Sequence, residues 1–177
     1  MIILVGPSAS GKSVVAKKLI EMYNFQKIIT YTTRAMRDNE IQDVDYHFIS
    51  KEDFQEKETN NFFIESVIYN SNYYGTALED IANNKVLILE PSGANVYYKK
   101  LKDKAFIVYL DASIKKREQR MIERNDSIEV IKKRLESDPT YFSKSNFDHL
   151  DLIIETDDLS IDDIAYKIMN NYKGVNK

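Results

Sequence analysis

Short apolar runs and longer amphipathic stretches alternate along most of the chain. The unbroken apolar runs are typical of strands buried on both faces of a parallel sheet, and they lie at residues 2–5, 86–89, 105–110 and 152–154. Between them, apolar positions recur at helical spacing, which predicts helices at residues 14–23, 92–100, 113–124, 127–137 and 161–172. Pro139 is expected to end the helix at 127–137. This order indicates an α/β fold in which helices cover both faces of a parallel sheet.

The segment from residue 30 to residue 76 breaks this alternation. Strand-like runs are found at residues 27–31, 46–49 and 62–68, and a helix is expected to begin near Ser50. We interpret residues 72–76 as a turn that leads into a short helix at 77–84. We therefore expect one domain over residues 1–177, with a core at 1–29 and 77–177 and a small β-rich insert at about 30–76.

The composition narrows the classes of protein that fit. A chain of 177 residues can bury the core of one ordinary domain without disulfides, and it contains no cysteine. The net charge of −3 gives no general basic field for nucleic acid, and every apolar run is too short to cross a membrane. We therefore expect a cytoplasmic protein that binds neither nucleic acid nor membranes.

The first apolar run leads directly into a phosphate-binding sequence. Residues 6–13, here called the phosphate loop, read Gly-Pro-Ser-Ala-Ser-Gly-Lys-Ser and fit the pattern G-x-x-x-x-G-K-[ST] between a strand and a helix. Gly6 and Gly11 let backbone N–H groups point inward, and the helix that follows adds its own free N–H groups and the positive end of its dipole. Lys12 can reach the β- and γ-phosphates of a nucleoside triphosphate, and the Ser13 hydroxyl can bind Mg²⁺. The expected nucleotide-binding residues are Gly6, Ser8, Ala9, Ser10, Gly11, Lys12, Ser13 and Val14.

Motifs in the insert resemble those of a known family. The segments TTRxxR at 32–37, VDYHF at 44–48, FIE at 63–65 and NYYGT at 72–76 are similar, in this order, to the GMP-binding region of guanylate kinases. The family pattern is TTRxPRxGE, VDYHF, FLE and YYGT, and the resemblance covers roughly residues 1–160. It implies a P-loop fold that transfers the γ-phosphate of ATP to GMP or dGMP with Mg²⁺. It also implies a GMP-binding insert and a mobile lid at about residues 120–140.

The resemblance further implies roles for individual residues of the insert. The positions matched to contacts with the GMP phosphate are Arg34, Arg37, Tyr46 and Tyr74. The position matched to recognition of guanine is Glu65, with Thr30 and Thr76 nearby in that role. The physical chemistry agrees, because guanidinium forks suit a monophosphate, and a carboxylate can accept from both N1–H and the exocyclic amine of guanine. Adenine offers no such pair of donors, so a buried carboxylate would reject it.

Arginines are also concentrated in the segment 113–137. Arg117, Arg120 and Arg124 fall on one predicted helix, with Arg120 and Arg124 four residues apart on one face, and Arg134 follows on the next helix. By resemblance, Arg120, Arg124 and Arg134 match lid arginines that fold over the polyphosphate of ATP. Such cations stabilise the charge of a phosphoryl group in transfer. We therefore assign catalysis to Lys12, Arg34, Arg120 and Arg134.

Several positions depart from the family pattern. The family sequence D-[IV]-[DE]-x-Q-G-A is Ile-Leu-Glu-Pro-Ser-Gly-Ala here, so that Ile88 replaces the first acid and Glu90 the second. Glu90 is expected to act near Mg²⁺ or on the guanine amine. The other departures are Met36 for proline, Asn39 for glycine, Thr30 for serine and Thr156 for asparagine.

These departures leave alternatives to a GMP kinase open. One is a P-loop kinase for another nucleoside monophosphate. The other, from a different class, is a non-catalytic module that binds phosphopeptides through the same arginines and tyrosines. Within the guanylate kinase family, the departures are also compatible with a divergent paralogue of the main enzyme. The protein is expected to be a monomer or a homodimer.

Overall fold

A five-stranded parallel sheet forms the centre of the molecule. The computed structural model describes residues 1–38, 40–69 and 71–175. The strands of this sheet are β1 (Ile2–Val5), β2 (Gln26–Lys27), β7 (Lys85–Ile88), β8 (Phe106–Asp111) and β9 (Leu152–Glu155). Their order is β2-β7-β1-β8-β9. Because β1 is the middle strand, the phosphate loop that follows it lies at the carboxyl edge of the sheet, between the ends of β7 and β8.

Helices cover both faces of this sheet. In chain order the helices are α1 (Lys12–Tyr23), α2 (Lys51–Thr59), α3 (Pro91–Leu101), α4 (Ile114–Glu123), α5 (Ile128–Tyr141) and α6 (Ile161–Val175), of which α2 belongs to the insert and packs on its sheet. On one face of the sheet, an apolar cluster joins Ile2 and Leu4 to Leu19 of α1 and Ile168 of α6. A second apolar cluster, on the opposite face, contains Ile3. The predicted α/β class and the two-sided burial of the parallel sheet are therefore confirmed. Among the described residues, no helix is both long enough and apolar enough to span a bilayer.

The insert forms a separate sheet of four strands. These strands are β3 (Tyr31–Thr32), β4 (His47–Phe48), β5 (Phe63–Tyr69) and β6 (Asn72–Ala77), in the order β4-β3-β6-β5. Strands β5 and β6 form an antiparallel hairpin in which Glu65 faces Thr76. Before the hairpin, α2 begins after Ser50, whose hydroxyl accepts a hydrogen bond of 3.0 Å from the Asp53 amide.

Two predictions about strands were wrong. Residues 27–31 are not one strand, because β2 ends at Lys27 in the first sheet and β3 begins at Tyr31 in the second. Residues 72–76 are not a turn but most of β6. A glycine within a strand often marks a close approach, and here a Cβ on Gly75 would lie 2.9 Å from ring atoms of Phe54 and Phe63. Gly75 is therefore required by packing, not by turn geometry.

Two predictions about helices were also wrong. The helix expected at 77–84 is a single 3₁₀ turn, Leu78–Asp80. Helix α5 continues through Pro139 to Tyr141, because tertiary contacts of Asp138 and Tyr141 hold the last turn in place.

Candidate active site

The phosphate loop has the backbone conformation that its glycines permit. Gly6 and Gly11 have φ values of +136° and +106°, and Ala9 has a φ of +60°. A Cβ on Gly6 would lie only 2.3 Å from the carbonyl oxygen of Leu110 in β8. Gly6 is therefore needed both for its φ and for its close approach to the sheet.

The Lys12 side chain folds back onto the backbone of the phosphate loop. Its Nζ donates to the carbonyl oxygens of Gly6, at 2.6 Å, and Pro7, at 2.8 Å. Burial lowers the pKa of Lys12 to about 8, against the opposing effect of Asp138 and with further lowering from nearby arginines. An anion bound between the loop amides and Lys12 would raise the pKa of Lys12 again and so favour its charged ammonium form.

A cavity of about 600 Å³, here called the loop cavity, brings together the residues predicted to bind a triphosphate. Among the residues that line it are Ser8, Ala9, Ser10, Gly11, Lys12, Ser13, Val14, Arg120, Arg124 and Arg134. Gly6 is buried at the start of the loop and does not line the cavity. The arginines matched by resemblance to the lid thus line the same cavity as the phosphate loop.

Arg120 supports the phosphate loop directly. Its guanidinium donates to the carbonyl oxygens of Ala9 and Thr156, both at 3.1 Å. The Thr156 hydroxyl in turn donates to the carbonyl oxygen of Ser10 at 3.2 Å. Thr156, known from the sequence only as a departure from the family pattern, therefore links the loop to the end of β9.

Arg124 and Arg134 share one carboxylate. Asp126, in the turn between α4 and α5, accepts from Arg124 Nε at 2.8 Å and from Arg134 at 3.0 Å. The hydrogen bond from Arg124 is the largest effect that lowers the pKa of Asp126. Asp126 was not predicted as a site residue, although its place in the sequence between Arg124 and Arg134 is a signal for such a shared ion pair.

A second cavity, of about 290 Å³, adjoins the loop cavity and is here called the insert cavity. It is lined by residues predicted to bind an acceptor, namely Thr30, Arg34, Arg37, Tyr46, Glu65, Tyr74 and Glu90. Thr76 does not line it and is fully buried behind Glu65. Ser8 and Lys12 line both cavities, so these two residues lie where the cavities meet.

Glu65 is a buried carboxyl group with unused hydrogen-bonding capacity. Its residue is 5% exposed, and Oε1 accepts a hydrogen bond of 3.0 Å from the Thr76 hydroxyl. Oε2 has no partner among the described residues. Burial raises the pKa of Glu65 to about 7, the Thr76 hydrogen bond opposes this, and Glu90 raises it further. Such a group is suited to a ligand that supplies two donors.

Tyr97 of α3 lies behind this pair and was not predicted. Its residue is fully buried, and its hydroxyl has no hydrogen-bond partner among the described residues. Burial raises the pKa of Tyr97, with Thr76 opposing and Glu65 adding to the effect. In the sequence, Tyr97 is only one of the apolar positions of a helix, so its location beside Glu65 could not be predicted.

The two arginines of the insert are organised by one glutamate. Glu40 accepts from the Arg34 guanidinium at 2.6 Å and from the Arg37 amide at 2.9 Å. The Arg34 guanidinium also lies 5.3 Å from the centre of the Tyr46 ring. The hydrogen bond from Arg34 is the main cause of the lowered pKa of Glu40. Asn39, which occupies the family glycine position, lies outside the described residues.

Glu90 faces the insert cavity from the main sheet, just before α3. Its carboxylate accepts a hydrogen bond from the Tyr141 hydroxyl of α5. Burial raises the pKa of Glu90 and the Tyr141 hydrogen bond opposes the rise. Ile88, at the end of β7, gives the same cavity an apolar wall where the family pattern has an acid.

A further cavity, of about 980 Å³, lies along β9 and α6. None of the residues predicted from the sequence to bind nucleotide or acceptor lines it. Acidic residues such as Asp157 and Asp158 form part of its wall, which does not favour a polyphosphate. The loop cavity and the insert cavity therefore carry the candidate chemistry.

The parallel sheet and its phosphate loop define an α/β protein of the P-loop nucleotide-binding class. The sequence model of the guanylate kinase family matches residues 1–172, and the chain belongs to this family. It is 32% identical over 179 residues to a guanylate kinase of Chlorobaculum tepidum, with 95% of this chain and 91% of that one covered. It is 35% identical over 157 residues to a guanylate kinase of Clostridium tetani, with 83% and 76% covered. The fold is similar to the crystal structure of a guanylate kinase from Anaplasma phagocytophilum, at a TM-score of 0.75, 23% identity, and 98% and 84% coverage.

Proposed function

We propose that the protein transfers the γ-phosphate of ATP to GMP and releases ADP and GDP. The observation that carries this proposal is the junction of the two cavities at Ser8 and Lys12. One cavity contains the phosphate loop, and the other contains the buried carboxylate of Glu65, whose Oε2 has no hydrogen-bond partner in the part of the chain that the structure describes. Membership of the guanylate kinase family supports the same reaction.

On the donor side, the loop amides and Lys12 are proposed to bind the triphosphate of ATP. The residues assigned to this role are Gly6, Ser8, Ala9, Ser10, Gly11, Lys12, Ser13 and Val14. Arg120, Arg124 and Arg134 lie across the loop cavity and are assigned to the negative charge of the transferring phosphoryl group. Residues 120–140 are proposed to act as a lid that closes over ATP and excludes water.

On the acceptor side, the insert at residues 30–76 is proposed to bind GMP. Glu65 would accept from N1–H and the exocyclic amine of guanine, and Thr30, Thr76 and Glu90 would complete the recognition of the base. Arg34, Arg37, Tyr46 and Tyr74 are assigned to the phosphate of GMP. No residue is assigned to the ribose 2′-hydroxyl, so dGMP is included among the proposed acceptors.

The reaction needs little covalent help from the protein. Phosphoryl transfer depends mainly on the alignment of donor and acceptor and on stabilisation of charge, so no general base is assigned. Lys12 lies where the two cavities meet and is proposed to remain in contact with the phosphoryl group throughout its transfer. Both cavities are built from one chain, which is compatible with a monomer or a homodimer.

Mg²⁺ is proposed to enter with ATP. Among the described residues, no group of three or more His, Cys, Asp or Glu side chains could hold a metal ion. Mg²⁺ often relies on substrate phosphates, waters and one or two protein oxygens, and the Ser13 hydroxyl beside the loop cavity fits this need. When bound, the ion would neutralise charge on the β- and γ-phosphates.

A coupled assay of ADP release tests the proposal. With ATP and Mg²⁺, the purified protein should turn over GMP and dGMP, and kcat/KM for AMP, UMP and CMP should be lower by about 10⁴-fold, as for a site that hydrogen-bonds its substrate. Preference for AMP or a pyrimidine nucleotide would favour a kinase for another acceptor. No turnover with any nucleotide, despite GMP binding, would favour the non-catalytic module.

A further inference from the structure

The peptide groups on both sides of Ser8 are bound by one buried ion pair. The Ser8 amide donates to the Asp138 carboxylate at 2.7 Å, and Arg117 Nε donates to the Ser8 carbonyl oxygen at 2.8 Å. The Arg117 guanidinium also pairs directly with the Asp138 carboxylate. The three residues therefore form a closed ring of hydrogen bonds around the second residue after Gly6.

This ion pair differs from those on the surface. Arg117 is 2% exposed and Asp138 is 4% exposed, so both charges have lost most of their water. Such a pair rarely adds net stability over apolar residues of the same volume, but loss of one partner leaves an unpaired buried charge. Its presence at this place is therefore better explained by the geometry it imposes than by stability.

The ion pair connects three elements of the donor site. Arg117 belongs to α4, which also carries Arg120, and Asp138 belongs to α5, which also carries Arg134. Both partners meet at the phosphate loop, where Arg120 binds the next residue, Ala9, through its carbonyl oxygen. The position of the two helices relative to the loop is thus fixed at adjoining peptide groups.

We propose that Arg117 and Asp138 are positioning residues that hold the phosphate loop in its ATP-binding conformation and fix α4 and α5 against it. This inference rests on the proposed function, because it concerns the ATP side of that reaction. Neither residue belongs to the sets assigned above to ATP or GMP. They act through Ser8, which lines both cavities, and through the arginines of α4 and α5.

Three variants separate positioning from stability. Asp138→Ala removes the acceptor for the Ser8 amide and leaves Arg117 as a buried unpaired charge. Arg117→Leu with Asp138→Ala removes both charges together, and Asp138→Asn keeps an acceptor for the amide. Asp148→Asn, which breaks the exposed ion pair with Lys99, is the matched control. For each protein, Tm, the Kd of ATP by calorimetric titration, and KM for ATP and GMP are measured.

Positioning predicts that stability and ATP affinity change separately. Asp138→Ala should lower Tm most, and the double variant should recover most of that loss because no charge is left unpaired. The Kd and KM of ATP should nevertheless rise about tenfold in both, as expected for loss of a charge-assisted hydrogen bond, with a smaller rise in Asp138→Asn. KM for GMP should change less than about twofold, and the control should match wild type.

The opposite pattern would overturn the inference. If the double variant recovered both Tm and ATP affinity, the ion pair would be only structural. If the double variant did not fold, Arg117→Lys provides a second test, because one ammonium cannot reproduce both guanidinium contacts, and an unchanged ATP Kd there would also refute positioning. Failure of the wild-type protein to bind ATP would instead refute the proposed function together with this inference.

Discussion

The Thr76 hydroxyl donates a hydrogen bond of 3.0 Å to Glu65 from the neighbouring strand of the insert, and this bond uses only one of the two carboxylate oxygens. The register of β5 and β6 places the two residues opposite each other, and the hydrogen bond orients the carboxylate. Thr76 thus orients Glu65 from behind, although it does not line the insert cavity. The free oxygen remains for the ligand.

Replacement of Glu65 by glutamine should reduce the preference for guanine. The amide keeps one acceptor but adds a donor, so it cannot accept from both N1–H and the amine of the base. We expect kcat/KM for GMP to fall about 10- to 100-fold relative to AMP, while KM for ATP stays within about twofold. Glu52→Gln, an exposed change on α2, is the control in a coupled assay. An unchanged ratio of GMP to AMP activity would refute the role of Glu65.

GMP binding should strengthen as Glu65 ionises. Its pKa is raised to about 7 in the free protein, and the ionised form is the one that accepts both guanine donors. The Kd of GMP should therefore fall as pH rises from about 5.5 to 8. The phosphate of GMP also titrates, with a second pKa of roughly 6, so the informative quantity is the ratio of Kd values between wild type and Glu65→Gln at each pH. A ratio independent of pH would contradict this account.

Removal of the Lys12 ammonium should impair chemistry. Lys12 lies at the junction of the two cavities, and we propose that its ammonium stays in contact with the phosphoryl group during transfer. We expect Lys12→Ala to lower kcat by about 100-fold or more, as for loss of one preorganised donor to developing charge. Lys17→Ala, at an exposed position of the same helix, should leave kcat unchanged. Near-normal turnover of Lys12→Ala would exclude the assigned role.

ATP affinity should weaken above pH 8. Burial lowers the pKa of Lys12 to about 8, so above that value the free protein holds this residue mainly neutral and must take up a proton to pair with phosphate. The Kd of ATP should rise by up to about tenfold per pH unit above 8 until the pKa of the bound form is reached. Lys12→Met should bind ATP weakly and without this rise. Calorimetric titrations between pH 7 and 9.5 would show a flat wild-type profile if the prediction were wrong.

Tyr141 should contribute to acceptor binding through Glu90. Its hydroxyl donates to the Glu90 carboxylate, and both residues line the insert cavity. Tyr141→Phe removes the one hydrogen bond that opposes the raised pKa of Glu90. We expect KM for GMP to rise about three- to tenfold with kcat nearly unchanged, and Tyr166→Phe, an exposed change on α6, to have no effect. A fall in kcat with unchanged KM would point to a different role.

Local sequence determined the phosphate loop and much of the acceptor site. The spacing of Gly6, Gly11 and Lys12 predicted a phosphate loop between a strand and a helix, and the apolar runs of β7 and β8 predicted buried parallel strands, because these signals depend only on near neighbours. The insert residues were placed by resemblance, and the structure brings Arg34 and Glu65 to one cavity. Their roles in binding and catalysis remain predictions.

The features that escaped prediction depend on distant partners. Arg117 and Asp138 are 21 residues apart, and only the folded arrangement of α4 and α5 pairs them. Strand β6 was interpreted as a turn because Gly75 signals a turn locally, whereas its small size serves the packing of Phe54 and Phe63. Pro139 was expected to end α5 because proline has no backbone N–H to donate within the helix. Contacts made by its neighbours outweigh this missing hydrogen bond, and the helix continues to Tyr141.

The two sheets are joined by very little chain. The Ile28 amide still bonds to Val86 in the main sheet, and Tyr31 already belongs to the insert, so only residues 29 and 30 connect them on the way out. Glu65 lies on β5 of the insert, Ile88 ends β7 of the main sheet, Glu90 lies just before α3, and all three line the insert cavity. The width of the acceptor site therefore depends on the angle at this joint. Because β5 also packs on α3, where Lys100 donates to the Ile64 carbonyl oxygen, we expect substitutions in the connecting segments or in this contact to change the range of acceptors without altering any side chain that lines the cavity.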